Sequence, residues 1–546
     1  MAQLFALSLL LIQIAFTFSR VVLVHNTNWF PHAGNPGVKL RLTRKGADHV
    51  KEVGVKLLSE QLANLQGFRV QHFFQQPGLS GWIYVNDIRT LGYQPPSHSK
   101  IEFAAPSFIT FAIENMAISL AGRFLGVSDS GLFSVPGQMN AQLSGMSVSL
   151  TTSFRVTPDG TMAVNVINCT TLIQQSNFVL SPEGPLSTLV KAFEIQINDL
   201  IRQRIPGIFC QGLTNIIEQN SPALFQRLNR AQLTEHFKNF NNDGVIENFI
   251  RRFTAGLYID GHQIADPVVT NEYFETQQSG ELKYNHTIGS APFFPRPIPV
   301  DHDSDRMLYL YGSEYTLNSL LYHAYESDRL MIKIEQSTLP SMYRGFVRTS
   351  CSDSTPVSAG GADHEFLSSI CVGKLIPNIE EHFPNTTTKF ALLSHGIPEV
   401  KFVDEYASMD IRTRILTYVD DRGQDRQILV SSADGLADIK LNADDGKFSG
   451  DLKLRKLNVR LHRSAIGGIS AESIEQLAPL AKTFLGPQLS RGLKQGLPYP
   501  LKDSITFIDP KLTIHDGFVR LATDFVLGEE NLRQKVHEGF ERIKNS

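Results

Sequence analysis

Several things are scarce or missing in this chain of 546 residues, and each absence closes off a class of function. There is no surplus of positive charge: the formal net charge is −3, which argues against a nucleic-acid partner and against a globally basic membrane binder. Beyond the N-terminus no stretch offers about 20 uninterrupted apolar residues, the length a bilayer-crossing helix needs. Catalytic signatures are missing too. "GLSGW" (78–82) has the wrong spacing for a G-x-S-x-G elbow, and "DHEFLSS" lacks the second histidine of H-E-x-x-H. "DHDSD" (301–305) has no His or Cys pair beside it and reads as a solvated loop, while "VDDRGQD" (419–425) lacks calcium-loop spacing and reads as a hairpin turn. Neither nucleophilic nor metal catalysis is expected, and no cofactor. Cysteine is sparse: Cys169, Cys210, Cys351 and Cys371.

What is present begins with "MAQLFALSLLLIQIAFTFSR". Its apolar run from Leu4 to Phe16, followed by Thr17 and Ser19, fits a secretory signal peptide over residues 1–19, although the segment before the run carries no Lys or Arg. An even cysteine count in an exported chain implies two disulfides and allows three pairings; one bond per half, Cys169–Cys210 and Cys351–Cys371, is favoured. Sequons occur at Asn168, Asn285 and Asn385, of which Asn285 and Asn385 are the better candidates because Asn168 abuts a cysteine. The expected product is a secreted, extracellular glycoprotein.

Just past the middle lies "APFFPRPIPV" (291–300), with Pro292, Pro295, Pro297 and Pro299. Proline fixes φ and removes a donor, so this stretch is neither helix nor central strand but an extended, stiff spacer. The two sides of it repeat one order. On the N-terminal side, Val38, Leu40 and Leu42 alternate with Lys39 and Arg41 as in a half-buried strand. Val50, Val53, Leu57, Leu58, Leu62 and Leu65 then recur at helical steps. Alternating strands follow, joined at "TPDG" (157–160), and a long apolar-striped segment from Leu189 to Leu228 carries Phe193, Ile197 and Ile201 and is kinked or broken at Pro206. On the C-terminal side come a strand over 306–312 and a helix capped by Ser313 with Leu317, Leu320 and Leu321. Strands with Asp445-Gly446 and Asp516-Gly517 turns follow, along with a long helix bearing Ile474, Leu477, Leu480 and Phe484 and capped by Ser470. Strand, helix, twisted sheet and long helix therefore occur twice, and the proline segment is the strap between the copies.

"NPGVKLRLTRKGADHVKEVGVKLL" (35–58) resembles the opening of the family containing bactericidal/permeability-increasing protein, lipopolysaccharide-binding protein and the phospholipid and cholesteryl ester transfer proteins. "DRMLYLYGSEYTLNSLLYHAY" (305–325) resembles the start of its second barrel, and "LKQGLPYPL" (493–501) the exit from its last long helix. Cys169 and Cys210 lie 41 positions apart, close to the family's disulfide spacing. The resemblance covers roughly Asn35–Leu527. It implies an α+β fold shaped as an elongated two-lobe boomerang: two barrels of highly twisted antiparallel sheet, each with long helices, meeting at a central sheet and joined by a proline-rich linker. The implied divisions are an N-terminal barrel with part of the central sheet over 20–280, the linker over 281–304 and a C-terminal barrel over 305–527; residues 528–546 continue past the end of that core as an amphipathic tail, a departure from the family.

The function this implies is non-enzymatic binding or transfer of phospholipid or a similar amphipathic lipid, with transient contact with a membrane or lipoprotein surface. Acyl chains would lie on Val38, Leu40, Val53, Leu57, Phe193, Ile197 and Ile201 in the N-lobe, and on Leu317, Leu321, Ile474, Leu477 and Phe484 in the C-lobe. Apolar stripes of this kind enclose either a packed core or a lipid cavity. Two other readings stand beside it: an innate-immune lipopolysaccharide binder, and a non-transferring extracellular structural or interaction protein. In lipopolysaccharide-binding members the N-terminal tip is rich in Lys and Arg. Here "SLAGRFLGVSDSGLFSVPGQMNAQLSG" holds only Arg123, beside Asp129, and "QHFFQQPGLSGW" holds neither Lys nor Arg. The strongest basic cluster is Lys453, Arg455, Lys456, Arg460 and Arg463, expected on a solvated strand face. The tail places Leu532, Val536, Phe540 and Ile543 on one helical face. It is expected to dock on its own C-lobe or fray, or else to act as a pocket lid or membrane hook.

Overall fold

The computed structural model describes residues 34–545, with interruptions at 77–78, 132–133, 186, 189–205, 208–209, 212–213, 216, 219–220, 223–224, 227–228, 234–243, 340–342, 352–370, 445, 476 and 499–504. The signal-peptide segment and Phe193, Ile197 and Ile201 lie outside the described residues.

The opening strand of each half has a helix directly after it. Val38–Thr43 leads into the helix Arg44–Ala63, and the Thr43 hydroxyl accepts the Gly46 N–H as the N-cap. Leu308–Ser313 leads into Glu314–Glu326 with Ser313 at the N-cap position. The two opening strands pair antiparallel, Leu40 opposite Leu310. They form the middle of a six-stranded sheet that runs Val268–Val269, Tyr273–Gln278, Val38–Thr43, Leu308–Ser313, Phe518–Leu527, Ile505–His515. The duplication read from the sequence thus becomes a symmetric seam, one strand from each copy. The seam is close enough that a Cβ on Gly46 would sit 2.4 Å from the Met307 carbonyl.

Each half adds its own twisted antiparallel sheet. In the N-lobe the order is Phe68–Gln76, Leu79–Gln94, Phe108–Ser128, Ser134–Val156, Met162–Pro182, with His98–Ala104 pairing Phe108–Ser128. In the C-lobe Ile332–Ile334, Thr388–Ser394, Tyr406–Asp421, Gln424–Asp444, Lys447–Ser464 and Leu497–Pro498 follow one another, with Glu399–Val403 at the side. The turns fall where the sequence placed them. Gly160, Gly423, Gly446 and Gly517 all have positive φ, the conformation that tight reversals require. A small sheet of Arg230–Gln232, Leu257–Asp260 and Glu281–Tyr284 completes the N-terminal half. Both disulfides join cysteines of the same half, Cys169–Cys210 and Cys351–Cys371.

Three expectations are corrected. Lys39 and Arg41 do not form a solvated strand face. Arg41 is 2% exposed, because residues of the strap and the loop after it cover that side of the central sheet. Its guanidinium donates to Glu275 and to the Asp301 carbonyl (2.6 Å) and stacks on Tyr273 at 4.0 Å. Nor is "DHDSD" merely solvated. Asp303 accepts the Tyr309 hydroxyl (2.7 Å) and pairs with Arg520, and Asp301 accepts the Tyr311 hydroxyl (2.8 Å). Burial alone would push the Asp303 carboxyl up. Hydrogen bonds from the Asp305 N–H and the Tyr309 hydroxyl, with Arg520 beside it, hold it below its ordinary value.

The third correction concerns the tail. Glu529–Asn545 is a helix, but it packs chiefly on the opening helix of the N-terminal half. Leu532 is fully buried in the core cluster that holds Val53, Leu57 and Leu58; Lys56 pairs with Glu529 (2.5 Å) and Arg533 with Glu60 (2.9 Å). Side chains 536, 540 and 543 lie outside the described ones. Truncation after Leu527 is therefore expected to lower thermal stability. The lost burial of Leu532 alone contributes about 1.5–3 kcal/mol, and the exposed ion pairs add little. An unchanged unfolding temperature would show that the helix does not stabilise the N-terminal half.

Candidate functional site

The opening-helix stripe and the strands facing it form one apolar body. Leu40, Val53 and Leu57 lie in it with Phe111, Leu150, Phe154, Ile217 and Phe225. Val38 does not: it packs with Leu320 and Ala324 beside the small three-stranded sheet. The C-lobe residues divide as well. Leu317 and Leu321 pack with Val400, Phe402 and Ile514 near the seam. Ile474 joins Val372, Ile376, Val459 and Ile466 in a separate cluster. Side chains 477 and 484 lie outside the described ones. The candidate lipid-contacting residues therefore occupy four clusters rather than two.

Two of the surface cavities formed by described residues lie beside long helices. One, about 530 Å³, lies at the start of the opening helix among Arg44, Lys45, Asp48, His49, Glu52 and Glu272, with charges of both signs. The other, about 590 Å³, runs between the strand Lys447–Ser464 and the long helix Leu477–Gln495. Leu452, Leu454 and Pro487 give it an apolar floor, and Lys453, Arg455 and Lys482 give it a cationic rim. The expected solvated basic face is thus correct for the exposure of Lys453 and Arg455 but omits the groove beside them. Arg455 pairs with Asp438 and lies over the Tyr406 ring. Among the described residues no group of three His, Cys, Asp or Glu side chains is placed to hold a metal ion.

The N-lobe tip carries a different surface. Phe73 stands opposite Trp82, and Trp82 opposite Val127; one pleat along, Tyr84 stands opposite Leu125. Alternation along each strand puts all five on one face. The Phe73 and Trp82 rings are 5.2 Å apart, and Trp82 and Tyr84 stack at 6.2 Å. Phe73, Trp82 and Leu125 are 37%, 38% and 36% exposed and lie together on one face rather than singly. Arg123 stands at the base of this face and pairs with Asp87 at 3.4 Å. Trp82 and Tyr84, two apart in sequence, carried the signal for this ladder, but the partner positions emerge only once the strand register is known.

A model of the LBP / BPI / CETP family's C-terminal domain matches residues 254–527, half of the chain. The chain belongs to this family. LBP / BPI / CETP proteins are non-enzymatic lipid-binding or transfer proteins, so lipid binding is the activity and no reaction is to be sought. Similarity extends beyond the matched domain. The bactericidal permeability-increasing protein of Sebastes schlegelii is 18% identical over 500 residues, 90% of this chain and 95% of that protein. The lipopolysaccharide-binding protein of Bos taurus is 22% identical, over 90% of this chain and 93% of its own length. The phospholipid transfer protein of Mus musculus is 20% identical, over 90% of each. A crystal structure of lipopolysaccharide binding protein aligns over 90% of this chain and 99% of its own, at 18% identity and a TM-score of 0.45. In this chain the exposed N-lobe face is aromatic with one exposed ion pair, Arg123–Asp87, and the C-lobe groove has a cationic rim. No described helix is long and apolar enough to cross a membrane.

Proposed function

We propose that this chain is a secreted carrier of phospholipid-like molecules that meets neutral or zwitterionic lipid surfaces through its N-lobe tip. The observation that carries the reading is the exposed ladder of Phe73, Trp82 and Tyr84, with Arg123, on the same face, already facing Asp87. Aromatic rings settle at the boundary between lipid head groups and water, where one end is apolar and the other wet. Lipopolysaccharide offers phosphates, which call for Lys and Arg, and the tip supplies none beyond Arg123. Similarity to a phospholipid transfer protein supports the same choice; similarity to lipopolysaccharide-binding proteins keeps the innate-immune reading as the alternative.

The cargo would be held by acyl-chain burial, about 0.8 kcal/mol for each CH₂. Leu40, Val53, Leu57, Leu317, Leu321 and Ile474 are proposed to act as apolar walls that yield to the chains. Asn168, Asn285 and Asn385 are all exposed and are proposed glycan sites; Asn285 also accepts from Arg230 (2.6 Å) through its side-chain oxygen. Organic extraction of the purified secreted protein followed by mass spectrometry is expected to release phospholipid in near-stoichiometric amounts, and a clean extract overturns the carrier reading.

The tip is tested separately. Capture by phosphatidylcholine vesicles is expected to persist at high salt and to weaken several-fold in Phe73→Ala/Trp82→Ala, since each ring adds apolar contact and no charge. Tight binding to endotoxin at low salt that collapses as salt rises would favour the innate-immune alternative.

A further inference from the structure

The C-lobe sheet turns one face to the core cluster of Ile428, Ala433 and Val459 and the other to solvent, and the solvent face is basic. We infer that this outer face binds a sulfated polysaccharide, with Arg414, Lys456, Arg460 and Arg463 contacting its sulfate groups.

Strand register gathers these cations. Residues directly opposite one another on paired strands share a face of the sheet. In the strands Tyr406–Asp421, Gln424–Asp444 and Lys447–Ser464, the side chains of Ile415, Ala433, Leu457 and Val459 point to the core. Arg414 stands opposite Ser432, and Ser432 opposite Arg460, so both arginines lie on the other face, two strands or about 10 Å apart. Lys456 opposite Leu436, and Arg463 opposite Val430, add a cation on either side of Arg460 along its own strand. Register with the neighbouring strand shifts at Arg455 and again at His462, and both extra residues turn to this face. Arg455 pairs there with Asp438, and His462 Nε2 lies 2.8 Å from the Ser432 hydroxyl. From Lys453, opposite Asp438, to Arg463 the basic strip runs about 30 Å along the strand.

Arg414, Lys456, Arg460 and Arg463 are all exposed, and none of them has an ion pair among the described residues. The acids standing between them are mostly committed: Asp410 to Arg412 (2.8 Å) and Asp438 to Arg455, leaving Asp434, between Arg412 and Asn458. The chain as a whole carries −3, so the positive charge is a local concentration, and a face of one sign attracts a polymer of the other. Past Phe448 the strand Lys447–Ser464 is an edge among the described residues, and charges there hinder pairing with another chain. Edge protection does not account for Arg414, which stands two strands in. Guanidinium forks match the oxygens of a sulfate as they match those of a phosphate. The apolar side chains beside these cations, Leu416, Val430 and Leu436, are half-buried rather than exposed. A lipid surface takes exposed apolar side chains as anchors, whereas a sulfated sugar chain needs only spaced cations.

The choice of occupant rests on the secreted part of the proposed function, because sulfated polysaccharides are extracellular; the binding itself is independent of cargo. In the test the whole secreted protein is passed over immobilised heparin. It is expected to be retained near physiological ionic strength and released as salt rises. Arg414→Glu/Arg460→Glu, and separately Lys456→Glu/Arg463→Glu, are expected to weaken heparin binding about tenfold or more with the unfolding temperature unchanged, since exposed positions contribute little stability. Lys100→Glu/Lys511→Glu makes the same change in net charge at exposed positions of the N-lobe and central sheets. It is expected to leave the affinity within about twofold. Passage of the wild type without retention, undiminished binding by both variants of this face, or equal weakening by Lys100→Glu/Lys511→Glu overturns the inference. Undiminished binding to heparin stripped of its sulfates also overturns it. So does capture by phosphatidylglycerol vesicles without retention on heparin, which would assign the face to an anionic lipid surface. None of these outcomes bears on the carrier reading, which the extraction of bound phospholipid tests by itself.

Discussion

Arg41→Ala is expected to destabilise the protein by about 3–5 kcal/mol, a large share of a domain's total stability. The cost does not come mainly from losing an ion pair. It comes from what stays behind: Glu275, buried, with Lys39 at 3.4 Å as its one remaining cationic partner among the described residues and the guanidinium gone from its other oxygen. Burial works against the Arg41 charge, and Glu275, Tyr311 and Tyr273 more than offset it, so the guanidinium is held above its ordinary pKa. The same group ties the Asp301 carbonyl to the central sheet, so its removal also frees the end of the strap. Urea unfolding measures the loss. Arg41→Met/Glu275→Leu, which removes both charges and keeps apolar volume, is expected to recover much of it, as replacement of buried ion pairs often does. A cost below about 1 kcal/mol for Arg41→Ala would mean that water reaches Glu275.

Arg41 also marks the boundary of what could be read from the sequence. The opening strand and helix were legible because their signals are local: alternation over six residues, a Thr43 cap, a stripe at three- and four-residue steps. The duplication was legible for the same reason, being local order repeated. Nothing near Arg41 announces that Asp301, 260 positions away, will cover it. The terminal helix tells the same story. Its apolar face was plain, but its partner was not, since Lys56 meets Glu529 across 473 positions. The candidate site divides along this line too. Stripe residues such as Leu57 and Ile474 are buried, but their division among separate clusters depends on which elements pack together, which no single stripe encodes.

Glu281→Ala is expected to loosen the joint between the halves, with an equilibrium cost of about 3–5 kcal/mol near neutral pH. Glu281 stands on the small sheet of the N-terminal half and is 2% exposed. One of its oxygens accepts His323 Nε2 (2.8 Å), from the opening helix of the C-terminal half, and the Ala291 N–H (2.7 Å), from the start of the strap. The other oxygen meets Lys283 at 2.9 Å, and Lys283 also faces Asp260 at 3.6 Å. A single carboxylate thus holds three parts of the chain. Burial pushes its pKa up, but the His323 bond and Lys283 outweigh that and hold it below its ordinary value; Asp260 is likewise depressed, burial being outweighed by its bonds to His262 and by Lys283. Depressed carboxylates contribute stability that is complete above their unfolded values, about 4, and that is lost as pH falls through the folded ones. Lys283 has the opposite sign. Its pKa is raised, with burial outweighed by Asp260 and Glu281, so its contribution is complete below about 10.4 and fades as pH climbs through the raised value. The wild type should therefore show a stability plateau between about pH 5 and pH 10 with a fall on each side. Glu281→Ala should lower the plateau and flatten both flanks, because one carboxylate no longer titrates and Lys283 keeps Asp260 as its one carboxylate partner among the described residues. Urea unfolding at pH 3.5, 7 and 11 reads all three regions, and a variant whose curve runs parallel to the wild type's would show that Glu281 is not what couples this joint to pH.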